Sequence, residues 1–164
     1  GNLQESIPDK MMGNTKGEVV MEDKVSRRSG ELFAAGYCCS ESVLMAVAEN
    51  KGIQSELIPR IATGFCGGIA HTRNICGAVS GAIMALSMLL GRDKPEDPRE
   101  ELNSAIHKLL AEFEGKYGST NCFELLGCDL DTQEGKKEYK ENNLWGKCKE
   151  FTEEAARMTS ALLE

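Results

Sequence analysis

Ile75-Cys76-Gly77-Ala78-Val79-Ser80-Gly81-Ala82-Ile83-Met84-Ala85-Leu86-Ser87-Met88-Leu89-Leu90 is the stretch on which the fold turns. From Ala78 to Leu90 its only polar side chains are Ser80 and Ser87, so a helix here is apolar nearly all round. Such a helix is buried, either in protein or in lipid. Sixteen residues rise about 24 Å, short of the roughly 30 Å of a bilayer's hydrocarbon layer. The reading is therefore the buried central helix (75–90) of a soluble bundle, with no membrane insertion. Gly77, Gly81 and Ala85 recur every fourth residue and leave a small-residue stripe where another helix can approach closely.

Working outward, the pattern predicts an all-α, single-domain bundle of about six helices over residues 22–164. No segment alternates like a strand. Residues 1–21 mix glycine, asparagine, proline and charge without an apolar period and read as a mobile leader. A first helix is expected from about Glu22 to Ala35, ended by Gly36 in the left-handed conformation. A second runs from Cys39–Ser40 to Asn50, and a short third starts near Ser55 with Pro59 in its first turn. Asp97, Pro98 and Glu100 suit the opening of a long helix whose apolar residues Leu102, Ile106, Leu109, Leu110, Phe113 and Tyr117 keep the helical period until Gly118. Asn121 caps a short turn ending at Gly127. A polar loop (131–143) leads into a last helix with Cys148, Phe151, Ala155, Met158 and Leu162 on one stripe.

Composition narrows the function. The chain has 164 residues, 41% of them hydrophobic, enough for a core without disulfide staples. Its net charge of −7 makes a nucleic-acid backbone an unfavourable partner. There are seven cysteines, too few for a disulfide scaffold and odd in number. No secretory signal is visible, so a reducing cytoplasmic setting is expected, where clustered cysteines more often serve redox or metal chemistry.

Three helix starts and one lysine-flanked position select four of the cysteines. A thiolate is stabilised by the unpaired N–H groups of a helix N-terminus. Cys76 lies two residues after the candidate cap Asn74, Cys122 follows the candidate cap Asn121, and Cys39 opens the second helix. Cys148 lies between Lys147 and Lys149, which also favour the ionised form. The bland alternative is that each simply fills a core, and for Cys38, Cys66 and Cys128 that alternative is preferred. The four are separated by 37, 46 and 26 positions with no C-x-x-C, which argues against a zinc ribbon or a thioredoxin-type motif. Tertiary packing would have to bring them together. Gly64-Phe65-Cys66-Gly67-Gly68-Ile69-Ala70-His71-Thr72-Arg73-Asn74 precedes the central helix, either as a tight connection or as a cradle of N–H groups. His71 on this loop and His107 on the long helix read as solvated rather than catalytic.

The segments Gly36-Tyr37-Cys38-Cys39-Ser40-Glu41-Ser42-Val43-Leu44, Cys76-Gly77-Ala78-Val79-Ser80-Gly81-Ala82, Cys122-Phe123-Glu124-Leu125-Leu126-Gly127 and Lys147-Cys148 resemble the C_GCAxxG_C_C family of redox-active proteins, over roughly Glu31 to Ala156. The family's four characteristic cysteines fall on Cys39, Cys76, Cys122 and Cys148. The family's redox role is itself inferred from those cysteines. Related sequence occurs in split-Soret cytochromes, which brings an iron–sulfur or electron-transfer role into view; without C-x-x-C-H, covalent haem attachment is not expected. Cys66 and Ala70 stand where the resemblance leads one to expect glycine, and Cys38 where a polar residue is usual. Cys66 and Cys38 either add redox partners or are tolerated small residues, and the second reading is preferred.

The leading expectation is a redox protein whose four cysteines converge for thiol–disulfide or electron-transfer chemistry, with an unidentified redox partner. As a thiol–disulfide oxidoreductase it would use Cys76 as the reactive thiol and Cys39 as its neighbour. The alternative is Cys39, Cys76, Cys122 and Cys148 as ligands of an iron–sulfur cluster or a zinc ion. A third reading is a structural or interaction module.

Overall fold

The computed structural model describes residues 24–164, so the leader expected over 1–21 falls outside the described residues. Helix α1 (24–34) buries Val25, Leu32 and Phe33, and Gly36 with φ 111° turns the chain out of it. Helix α2 (Cys39–Asn50) opens with a capping box: Glu41 accepts from the Cys38 backbone N–H at 3.0 Å. Its buried face is Val43, Leu44, Ala46, Val47 and Ala48.

The apolar stretch Ile75–Leu90 becomes α4 (Gly77–Leu90), which packs against α2, α5 (Glu100–Tyr117) and α8 (Leu144–Leu162). Its first six residues, Ala85 and Leu86 are buried, while Ile83, Met84, Met88 and Leu90 are partly so. The small-residue stripe does what its spacing implied. A Cβ on Gly81 would come within 2.9 Å of the Ser40 Cα, so α2 and α4 meet backbone to backbone there. Leu109 and Phe113 of α5 and Phe151, Ala155 and Met158 of α8 close the core. Burying each large side chain contributes roughly 1.5–3 kcal/mol. Phe113, Tyr117 and Phe151 stack with centroids 4.8–6.0 Å apart.

Among the described residues the only β-type pairing is an isolated bridge between Ile75 and Asn121, and the class is all-α. Several local expectations are corrected. The helix expected from Ser55 is a 3-10 helix of two turns, Arg60–Phe65, placed after Pro59 rather than around it. Asp97 does not cap α5, which begins at Glu100; its carboxylate instead accepts from the N–H groups of Asp93 and Lys94, closing the preceding turn. Segment 131–143 is not a loop. It holds α7 (Gln133–Glu141), capped by Thr132, whose hydroxyl accepts from the Gly135 N–H at 2.9 Å. Tyr139 is its only apolar or aromatic residue, so no hydrophobic period announced it.

Candidate functional site

The helix starts deliver the cysteines as capping residues or their neighbours. Cys39 is the first residue of α2, and Cys122 is the first of α6 (Cys122–Leu126), where Asn121 accepts from the Glu124 N–H at 3.0 Å. Cys76, not Asn74, precedes α4. Asn74 is turned away, donating to the Thr72 carbonyl and hydroxyl. The Ile75–Asn121 bridge then ties together the two segments that carry Cys76 and Cys122. The Cys76 N–H donates to the Thr120 carbonyl at 2.7 Å, and the Cys122 N–H to that of Asn74 at 2.8 Å. Cys148 comes from the body of α8. All four line one cavity of about 740 Å³, so packing gathers residues far apart in the chain. Cys128 is buried and is not part of the cavity wall, and His107 is exposed on α5.

The glycine-rich segment forms the cavity's most unusual wall. The turn α3 (Cys66–Ile69) is left-handed: Gly67, Gly68, Ile69, Ala70 and His71 all have φ between 50° and 74°. An L-residue in this conformation costs roughly 1–2 kcal/mol, which glycine avoids. Ala70, at φ 50° and ψ 42°, therefore carries strain where a glycine would not. The Ala70 N–H donates to the Cys66 carbonyl, the Asn74 N–H to that of Gly68, and Asn121 donates to the Arg73 carbonyl. Glycine is also needed for space. A Cβ on Gly68 would lie 2.6 Å from the Cβ of Cys122, and one on Gly77 would strike the Cys39 sulfur. His71 lines the cavity with its ring over Gly67.

Cys38 and Cys66 are not the passive small residues the sequence suggested. Their sulfurs lie at disulfide distance, with Cα atoms 5.8 Å apart, and both line the cavity. This link joins the residue that caps α2 to the first residue of the left-handed turn. The Ser40 hydroxyl lies 3.3 Å from each sulfur and donates to the Ala62 carbonyl. The sequence signal was position: Cys38 adjoins Cys39, and Cys66 adjoins Gly67. The remaining five cysteines are free.

The electrostatics reverse the expectation of ionised thiols. Burial pushes Cys39 up, and Cys76 well above the ordinary value, with the nearby Cys39 adding to the rise at Cys76. Burial, then Cys39, lifts Cys122 to about 11 and Cys148 to about 12. Backbone N–H groups of Gly67 and Ala78 pull Cys39 partly back, and the Tyr139 hydroxyl does the same for Cys148, but desolvation wins. Lys149, expected to favour an ionised Cys148, is held by Glu153. At neutral pH these are protonated thiols unless something binds them.

Four soft sulfur donors facing one cavity suit iron–sulfur or zinc ligation. Among the described residues, the group offering three ligand atoms within 4.8 Å of one another is Cys38, Glu41 and Cys66.

A family model described as "Putative redox-active protein (C_GCAxxG_C_C)" matches residues 37–162. An uncharacterized protein of Archaeoglobus fulgidus is 32% identical over 152 residues, covering 87% of this chain and 95% of the relative. No solved structure matches the chain. Among the described residues, no helix is long and apolar enough to cross a membrane.

Proposed function

This chain belongs to the C_GCAxxG_C_C family, and from that premise we propose that it is an electron-transfer protein in which Cys39, Cys76, Cys122 and Cys148 together hold an iron–sulfur cluster. The observation that carries the reading is that four free thiols from separate helices line one cavity. Bound there, such a group supplies one-electron transfer. The chain's own residues supply the rest. Thiols held protonated by burial release their protons when a metal takes them, so loading is favoured as pH rises. Gly77 leaves room for the Cys39 sulfur, and the N–H groups of Gly67 and Ala78 face that sulfur and favour its negative charge. The apolar side chains Leu125, Leu126 and Phe151 keep water from the floor of the cavity.

Anaerobic purification or reconstitution with iron and sulfide tests this. The expected product is brown, with visible absorption and acid-labile sulfide, and replacing Cys76 or Cys122 by serine removes both. A colourless, iron-free protein whose four thiols alkylate freely after reconstitution would overturn it. A second reading, thiol–disulfide exchange, is favoured by the Cys38–Cys66 pair on the same cavity wall. It predicts redox turnover with a dithiol reductant in metal-free protein.

A further inference from the structure

The cavity is larger than its sulfurs require, and its outer part has a chemistry of its own. At about 740 Å³ it lies within the usual range for small-molecule sites. Gln133, Lys136, Lys137 and Lys140 line it from α7, at spacings of three, one and three residues that put them on one helical face. Among the described residues no aspartate or glutamate lines the cavity, although the chain carries 26 acidic against 19 basic side chains and a net charge of −7. Lys137 shares its charge with Glu141 at 3.8 Å, whereas Lys136 and Lys140 have no ion pair among the described residues. A locally positive mouth on an acidic protein focuses its field on anions.

Aromatic surface lies beside that mouth. Trp145 and Tyr37 line the cavity while remaining 43% and 38% exposed, and Phe33 packs on Trp145 with ring centroids 5.3 Å apart. Rings left open to solvent, in one cavity with cations that make no ion pair among the described residues, make a site with an apolar part and a charged part.

We infer that this cavity binds a small aromatic anion, its negative group at Lys136 and Lys140 and its planar body against Trp145 and Tyr37. Recognition has two separable parts. The rings take up flat apolar surface, and the lysines select for negative charge. The inference names a ligand class for the same cavity and does not depend on what the sulfurs hold.

Calorimetric titration of the protein as isolated, with 1-naphthoate and with its uncharged amide as probes, separates the parts. Emission from Trp145, the chain's only tryptophan, reports whether either probe reaches the wall. Naphthoate is expected to bind saturably and to perturb Trp145, with the amide about five- to tenfold weaker, the order expected of two partly exposed charge contacts. The double substitution Lys136→Gln with Lys140→Gln should weaken naphthoate by the same factor and leave the amide unchanged. Both lysines are exposed, so an unaltered circular dichroism spectrum and thermal midpoint would show that the fold survives. Equal binding of acid and amide, an unchanged double variant, or full competition by inorganic sulfate at equal concentration would overturn the inference. Iron and sulfide content are read separately, so either this site or the cluster can fail alone.

Discussion

Ala70 shows how a single position carries the tension of the site. The resemblance leads one to expect glycine there, and the backbone says why: φ 50° and ψ 42° are left-handed. Replacing Ala70 by glycine should relieve roughly 1–2 kcal/mol of local strain against an unfolded-state entropy cost of about 0.5–1. The expected outcome is a gain of about 0.5–1 kcal/mol in urea denaturation, and a loss of stability would contradict the assignment of strain. Gly77 answers to a different constraint. It sits at a helix start, where alanine would ordinarily do well, yet a Cβ there would collide with the Cys39 sulfur. The residue-level text of the sequence was legible for the four cysteines, because helix starts and chain order mark them. It was not legible for their ionisation. Helix N-termini and flanking lysines can be read from a string of letters, but desolvation by partners that fold in from elsewhere cannot, and desolvation is the larger effect at Cys39, Cys76, Cys122 and Cys148.

Elements divide by how their stability is written. Helices α2, α4, α5 and α8 are held by burial of apolar faces, and all four were visible as apolar periods or runs. Helix α7 is held by the Thr132 cap and by its approach to α8, so a chain reading keyed to hydrophobic period passed it by. The turn α3 is left open by the sequence as either a tight connection or a cradle of N–H groups. Its handedness depends on partners such as Asn121, 48 residues away from Arg73, which no local pattern encodes. The Cys38–Cys66 link ties α2 to this turn across 28 residues. In the chain-entropy account, closing such a loop stabilises by about 3–4 kcal/mol. Denatured without reductant, the metal-free protein should show five reactive thiols, and seven after reduction. Reduction should also lower the denaturation midpoint. Seven thiols without reductant would remove the link.

At the scale of the whole molecule, the thiols make stability depend on pH. Their folded pKa values are raised above the ordinary 9.0, so folding favours the neutral form. The stabilising preference is fully present below about pH 9. It is lost as pH climbs toward about 11 for Cys122 and about 12 for Cys148, because the unfolded chain gives up protons first. Reduced, metal-free protein should thus show a urea midpoint that falls between about pH 8.5 and pH 10.5, more steeply than in the Cys122→Ala variant. Identical slopes would mean that Cys122 titrates normally. Fold class followed from patterns along the chain. The aromatic and lysine-bearing mouth did not, since Phe33, Tyr37, Trp145 and the face of α7 converge only once the bundle has formed.

The left-handed turn at 67–71 has one more consequence. A coil wound against the chirality of its own amino acids is a spring, and a spring is where a folded protein first gives way. Amide protons of this segment should exchange with deuterium well before those of α4, though the two are joined through Cys76. The molecule would then own a hatch: a patch of main chain that swings while the frame stays shut.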